Sequence, residues 1–331
     1  MTRISIIIVA LFYLTGCSNE KGSDPYEELL SQPPYSSLSD SINDEPGRDD
    51  LHFRRAVLLN TNNYPEPALA DFKRAWSIRK DERYAFGIAT IYLEKNPDSA
   101  LLFLNRALQE LPESILLGLS LARGYDARNK PDEALKICND LLAKNPEQVD
   151  VLKMKASLED KKGDYAASVR TMEKAYSITP FDVELNYMLA FRYAENKDPR
   201  VLSLADSLIR MDSLGLHAEP YYYKGLYYSN MNDKEKALGY FDNAIQHNYN
   251  FLDAHIEKGI TLYEQKKYQE AYNSFNLAMT ISPKYADAYY WMARSQEAMG
   301  QKQEAKLNYQ RAYGLDNTLL QAKDGEDRLS K

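Results

Sequence analysis

LDAHIEKGITLYEQKKYQEAYNSFNLAMTISPKY, residues 252–285, recurs along this chain. Shifting the sequence against itself by 34 residues lays Gly259 over Gly225 and Ala293, and Ala271 over Ala237 and Ala305. The same shift lays Phe275 over Phe241 and Tyr309, and Ala278 over Ala244 and Ala312. A period of this size with helical spacing inside it is the mark of stacked helix pairs, because one pair cannot bury its apolar face alone. The small residues let neighbouring backbones approach, and the aromatic ones fill the wedges between them. These positions are read as packing positions, not functional ones.

Working outward, the template can be laid down eight times between residues 49 and 319, over 49–82, 83–114, 115–148, 149–182, 183–217, 218–251, 252–285 and 286–319. The second unit is two residues short, and the missing residues are expected in its turn. The fifth, 183–217, is the degenerate one: its second helix carries Leu202 and Asp206 where a small residue and an aromatic belong. In the third, Cys138 takes the aromatic place, which reads as a small buried hydrophobe. Residues 320–331 are polar and read as a cap or a frayed tail.

The ordered set of a small residue and an aromatic in the first helix, then Ala, a large apolar residue, Ala and Pro, resembles the tetratricopeptide repeat over about four fifths of the chain. The resemblance implies an all-α fold, a right-handed α-solenoid of about eight helix pairs. It also implies a non-catalytic scaffold that binds a protein or peptide partner along a concave groove lined by the first helices. In the second half of the chain the residues left facing that groove are Tyr187, Phe191, Tyr222, Leu226, Ile256, Ile260, Tyr263, Tyr290 and Arg294. Near the first-helix starts lie Glu184, Glu219, Asp253 and Asp287, where an acid steadies the helix dipole and, as a row, would read a basic peptide. The paired Lys and Asn of the carboxylate-clamping members are missing: the matching places hold Lys153 with Ser157, and Tyr222 with Leu226.

Composition bounds the partner. In 331 residues the net charge is −7 with no cationic block, so nucleic acid, which needs clustered cations against phosphate, is disfavoured. Tyr is abundant at 26 residues and suits recognition surfaces as well as packing. No phosphate loop, nucleophile elbow, HExxH pair or CxxC spacing occurs past the leader, which points away from an enzyme, a metal or a cofactor. His247 and His255 are the closest histidine pair and lack a convergent ligand set. Glycan or peptidoglycan binding is the alternative reading, since Tyr and Trp faces stack on sugar rings and Trp291 lies near the groove units, although the only tryptophans, Trp76 and Trp291, lie far apart in the array.

The first residues give an address. Arg3, the apolar run Ile6 to Leu14 and then Thr15, Gly16 and Cys17 read as a cleaved export signal over 1–16, too short to span a bilayer. Leu14 to Cys17 resemble the bacterial lipobox, which implies a diacylated Cys17 as a lipid anchor in the membrane. The absence of Asp after the cysteine implies the outer membrane by resemblance to the enterobacterial sorting rule. Residues 17–48, with Pro25, Pro33, Pro34 and Pro46 and no apolar periodicity, read as the lipidated cysteine and a flexible tether.

Overall fold

The computed structural model describes residues 25–330, so the signal at 1–16 and Cys17 lie outside the described residues. Those residues form 19 helices and no strand. Two compact units divide at Gly124 and Tyr125.

The first unit contains α1 Glu27–Leu30, α2 Ser36–Asp44, α3 Asp49–Thr61, α4 Pro65–Ile78, α5 Glu82–Lys95, α6 Pro97–Glu110 and most of α7 Ile115–Ala127. In the second, the pairs are α9 Val149–Lys161 with α10 Tyr165–Ile178, α11 Val183–Glu195 with α12 Arg200–Met211, and α13 Glu219–Asn230 with α14 Lys234–His247. They are followed by α15 Leu252–Glu264 with α16 Tyr268–Ile281, and α17 Ala286–Ala298 with α18 Lys302–Leu315. The helices α8 Pro131–Lys144 and α19 Leu320–Leu329 stand at its two ends.

One turn makes most of these hairpins. Its middle residue is left-handed, as at Asn63, Gly163, Asn232 and Gly300, with φ of 63°, 78°, 60° and 80°. The next amide then reaches back five residues, as from Tyr64 to the Leu59 carbonyl at 2.9 Å and from Asp233 to Tyr228 at 2.9 Å. Asn and Gly tolerate that conformation, and the long reach satisfies carbonyls the helix end would leave bare. Between α5 and α6 the link is Asn96 alone, which takes up the two-residue shortening. The Asn96 side chain accepts from the Ser99 amide at 3.1 Å and Pro97 opens α6, so the cap holds without a left-handed residue.

Inside the pairs, rings sit against small residues. A Cβ on Gly259 would come within 2.4 Å of the Phe275 ring, and one on Gly225 within 2.6 Å of Phe241. Phe241, Phe275 and Tyr309 are fully buried, as are Ala237, Ala271 and Ala305. Cys138 is buried too, and burial pushes its thiol up to about 11, so it packs as a hydrophobe.

The degenerate fifth pair is a register change. Lys197 makes the usual left-handed turn, but the helix then begins with three-residue steps: Val201 N–H donates to Asp198 O at 3.1 Å and Leu202 N–H to Pro199 O at 3.1 Å. The equivalent bond in the next pair, Ala237 to Asp233, spans four. This tighter winding turns Val201, Leu204, Ala205 and Leu208 into the core, in place of the expected Leu202 and Asp206. Asp206, released from the interior, accepts from Lys224 Nζ at 2.7 Å.

The tether expectation fails from residue 26 onward. Tyr35 is 3% exposed and belongs to the core that α3 and α4 build around Ala56, Leu59 and Phe72. Its hydroxyl accepts from the Asn62 side chain at 2.9 Å, and Arg55 donates to Ser39 at 3.0 Å while gripping Asp71 with two nitrogens at 2.6 and 2.9 Å. Four prolines and many polar residues masked one aromatic anchor and one amphipathic turn. At the other end, α19 is a capping helix: Ala322 and Gly325 are buried and Arg328 donates to Glu297 at 2.7 Å.

The first-helix face of the second unit as candidate site

Helices α11, α13, α15 and α17 are the first members of their pairs and touch in sequence. The sixth residue of each register, counted from 183, 218, 252 and 286, is Met188, Tyr223, Glu257 and Trp291. At this position Trp291 stacks on Phe275 of the preceding pair, ring centroids 5.8 Å apart and planes 18° apart. Gly325, one register later, lies under Tyr309 in the same way. The sixth position thus rests on the wedge ring of the pair before it at Trp291 and Gly325, and Tyr223, Glu257 and Trp291 remain partly open.

This geometry sorts the residues expected to line a groove. Tyr222, Leu226 and Ile256 are 9%, 7% and 6% exposed, so they serve the core and offer little surface. The reason is local: the Tyr222 ring meets Phe241 at 6.0 Å and Phe251 at 5.1 Å. Tyr187, Phe191, Ile260, Tyr263, Asp287, Tyr290 and Arg294 are half-buried and Asp253 is exposed. The expectation missed Tyr223, Glu257 and Trp291; the repeat itself carried the signal, since all three share one offset.

The accessible residues form two groups. On α11 and α13, the Tyr187 ring lies 6.3 Å from Tyr223 and Phe191 lies 5.9 Å from Tyr223. Burial and then the charge of Glu219 raise both phenols, Tyr187 to about 12. On α15 and α17, the Arg294 guanidinium lies 4.9 Å from the Tyr263 centroid, 4.9 Å from Trp291 and 5.9 Å from Tyr290. With one face of Trp291 engaged by Phe275 and Arg294 against its ring system, little of it is left for a sugar.

Charge divides the same face. Lys153 on α9 donates to Asp182 at 3.2 Å and also pairs with Glu184, so the first acid of the expected row is neutralised. Lys153 is thereby unavailable as a clamp for a terminal carboxylate. Further along, burial pushes the Glu257 carboxyl up to about 7, helped by Glu195, Asp253 and Glu264. Partial burial alone raises Asp253. No cation figures among the influences on either carboxyl.

The two histidines, His247 and His255, do unrelated things. His247 stacks on Tyr221 at 4.4 Å and its Nδ1 meets Gly215 O at 2.8 Å, while His255 is buried with Nε2 2.8 Å from Tyr249 O. Among the described residues no group of three or more His, Cys, Asp or Glu is placed to hold a metal. No helix among them is long and apolar enough to cross a membrane.

Family models described as tetratricopeptide repeat match residues 92–158 and 262–311, 222–286, and 150–182, together more than half of the chain. The fold is similar to a tetratricopeptide repeat protein from Parabacteroides merdae, with a TM-score of 0.64 at 15% identity, covering 75% of this chain and 98% of that one. It is also similar to a chain of the APC/C hetero-tetramer Cut9-Hcn1, with a TM-score of 0.55 at 16% identity, covering 89% of this chain and 58% of that one. In sequence, an uncharacterized protein of Methanocaldococcus jannaschii is 42% identical over 71 residues, 22% of this chain and 83% of its own length.

Proposed function

Because the chain belongs to the tetratricopeptide-repeat family, we propose that it is a non-catalytic scaffold, holding a protein partner on the first-helix face of its second unit. One observation carries the reading. Tyr187, Phe191 and Tyr223 gather on α11 and α13, packed against the core yet partly open, whereas the wedge rings Phe241 and Phe275 are fully buried. Partly exposed aromatic side chains that cluster on a helical frame are common anchors of an interface. A similar fold takes part in a hetero-tetramer, which fits a role in assembly.

The scaffold is further proposed to be tied to the outer membrane through lipid on Cys17 and to act in envelope assembly or secretion. Support comes from the lipobox-like Leu14 to Cys17 and from the short apolar run before it. Several acyl chains, at roughly 0.8 kcal/mol per buried CH₂, hold a protein on a bilayer where one is marginal.

The test is capture of a partner from the native host by three versions of the chain. Replacing Tyr187, Phe191 and Tyr223 together by Ala is expected to abolish recovery of a partner identified by mass. Replacing the exposed Leu102 and Leu307, which lie on second helices, leaves it unchanged. Equal recovery with all three versions contradicts the assignment.

A further inference from the structure

On the first-helix face, the cations of the chain are held by partners of its own, and the Arg192 guanidinium also lies over the Phe191 ring at 5.0 Å. Arg192 donates to Asp160 at 2.9 Å, Lys224 to Asp206 at 2.7 Å and Lys258 to Asp242 at 2.6 Å. The last two of these partners belong to second helices. At one side Lys153 neutralises Asp182 and Glu184. At the other, Arg294 lies over Tyr263 and Trp291.

Between them, on α11, α13 and α15, Glu195, Glu219, Asp253 and Glu257 have no ion pair among the described residues, although acids elsewhere in the chain are commonly paired. Their charges bear on one another and on the rings: Glu195 and Asp253 on Glu257, and Glu219 and Asp253 on Tyr223. The Tyr222 side chain is 9% exposed, feels Glu257, Asp253 and Glu195, and makes no hydrogen bond through its hydroxyl among the described residues. Uncompensated carboxylates beside half-buried rings attract a cation that brings an apolar stem.

We propose that this stretch takes an extended polypeptide segment bearing Lys or Arg side chains, whose charges meet Glu195, Asp253 and Glu257 and whose stems lie on Tyr187 and Tyr223. The proposal rests on the reading of this face as the partner surface and adds the chemistry of the partner. Arg294 shows the arrangement one pair further along, where the chain's own guanidinium covers the rings. Neighbouring helices stand about 10 Å apart, so three of them span about 20 Å, which about six residues of extended chain cover. Alternate side chains of such a segment, about 7 Å apart, place several cations along the row, whereas one ammonium reaches a single carboxylate.

The test uses the full-length chain with fluorescein-labelled decalysine, labelled decaglutamate and spermine. Decalysine binds and decaglutamate does not. The variant Glu195→Gln, Asp253→Asn, Glu257→Gln weakens decalysine binding by about tenfold or more at low salt. The charge-matched control Glu113→Gln, Asp140→Asn, Glu147→Gln alters exposed acids outside α11, α13 and α15, and its binding changes by less than about twofold. Thermal unfolding establishes that both variants fold. Equal weakening in the control means diffuse attraction to an acidic protein and overturns the proposal, as does an absence of decalysine binding. Spermine bound as tightly as decalysine identifies a small polycation and overturns the polypeptide. If the native partner is lost with Tyr187→Ala and Tyr223→Ala but kept by the acid variant, the scaffold reading stands and the cationic partner falls.

Discussion

Glu257 occupies the register position at which its equivalents are Trp291, stacked on Phe275, and Gly325, lying under Tyr309. A carboxylate there is desolvated, and with Glu195, Asp253 and Glu264 nearby its proton is held up to about 7. An acid with a folded pKa above its unfolded value binds more protons when folded, so stability falls as pH rises between the two, from about 4.5 to about 7. Below that window the penalty is absent, and above it the penalty is complete at about 1–3 kcal/mol once solvent screening of a partly open group is allowed for. Glu257→Gln is therefore expected to leave the melting temperature unchanged near pH 4 and to raise it at pH 8. A melting temperature at pH 8 equal to or below that of the parent chain contradicts the placement. This residue is invisible in any single repeat, where a charged side chain on a helix surface is unremarkable. It emerges when the sixth positions of successive repeats are compared.

The elements are legible to different depths. The hairpins follow from the spacing of Gly259, Ala271, Phe275 and Ala278, because each residue type answers one packing demand that recurs every 34 residues. The interior of α12 is not legible that way. Its tight first turn follows Pro199, and a shift of one residue moves every side chain to a new face. The structure accordingly predicts that Val201→Asp costs about 3 kcal/mol or more, by burying an unpaired charge, whereas Leu202→Asp costs about 1 kcal/mol. Chemical denaturation of the two variants checks this, and the reverse order restores the unshifted register. The α2 segment is obscured for a different reason: its composition is that of a linker, while the buried Tyr35 and Ile42 and the Arg55–Ser39 bond secure it. Removing that ring in Tyr35→Ala is expected to weaken docking of residues 26–44 by about 3 kcal/mol, seen as faster proteolysis there with the repeats still folded. Unchanged cleavage contradicts the anchor. At the periodic core, Phe275→Ala is expected to cost about 3–5 kcal/mol, since its ring is fully buried between Gly259 and Trp291.

For the molecule as a whole, the family accounts for the helix pairs, and the first-helix face of the second unit is the proposed partner surface. Half of that face was legible in the sequence. Tyr187, Phe191, Tyr263 and Arg294 stand half-buried, while Tyr222, Leu226 and Ile256 are taken by the core, Tyr222 through its contacts with Phe241 and Phe251. The proposed lipid anchor is testable without reference to the array: Cys17→Ser is expected to move the protein from the membrane fraction to the soluble fraction, and retention on the membrane contradicts lipidation. The central claim, that a partner lies across α11, α13 and α15, is tested most directly by a photo-crosslinking amino acid placed at Tyr223, with a second placement at the exposed Leu307 on α18 as reference. Irradiation in the native host is predicted to join one protein through a Lys- or Arg-bearing segment at position 223 and none at 307. No adduct at 223, or the same adducts at both positions, contradicts it.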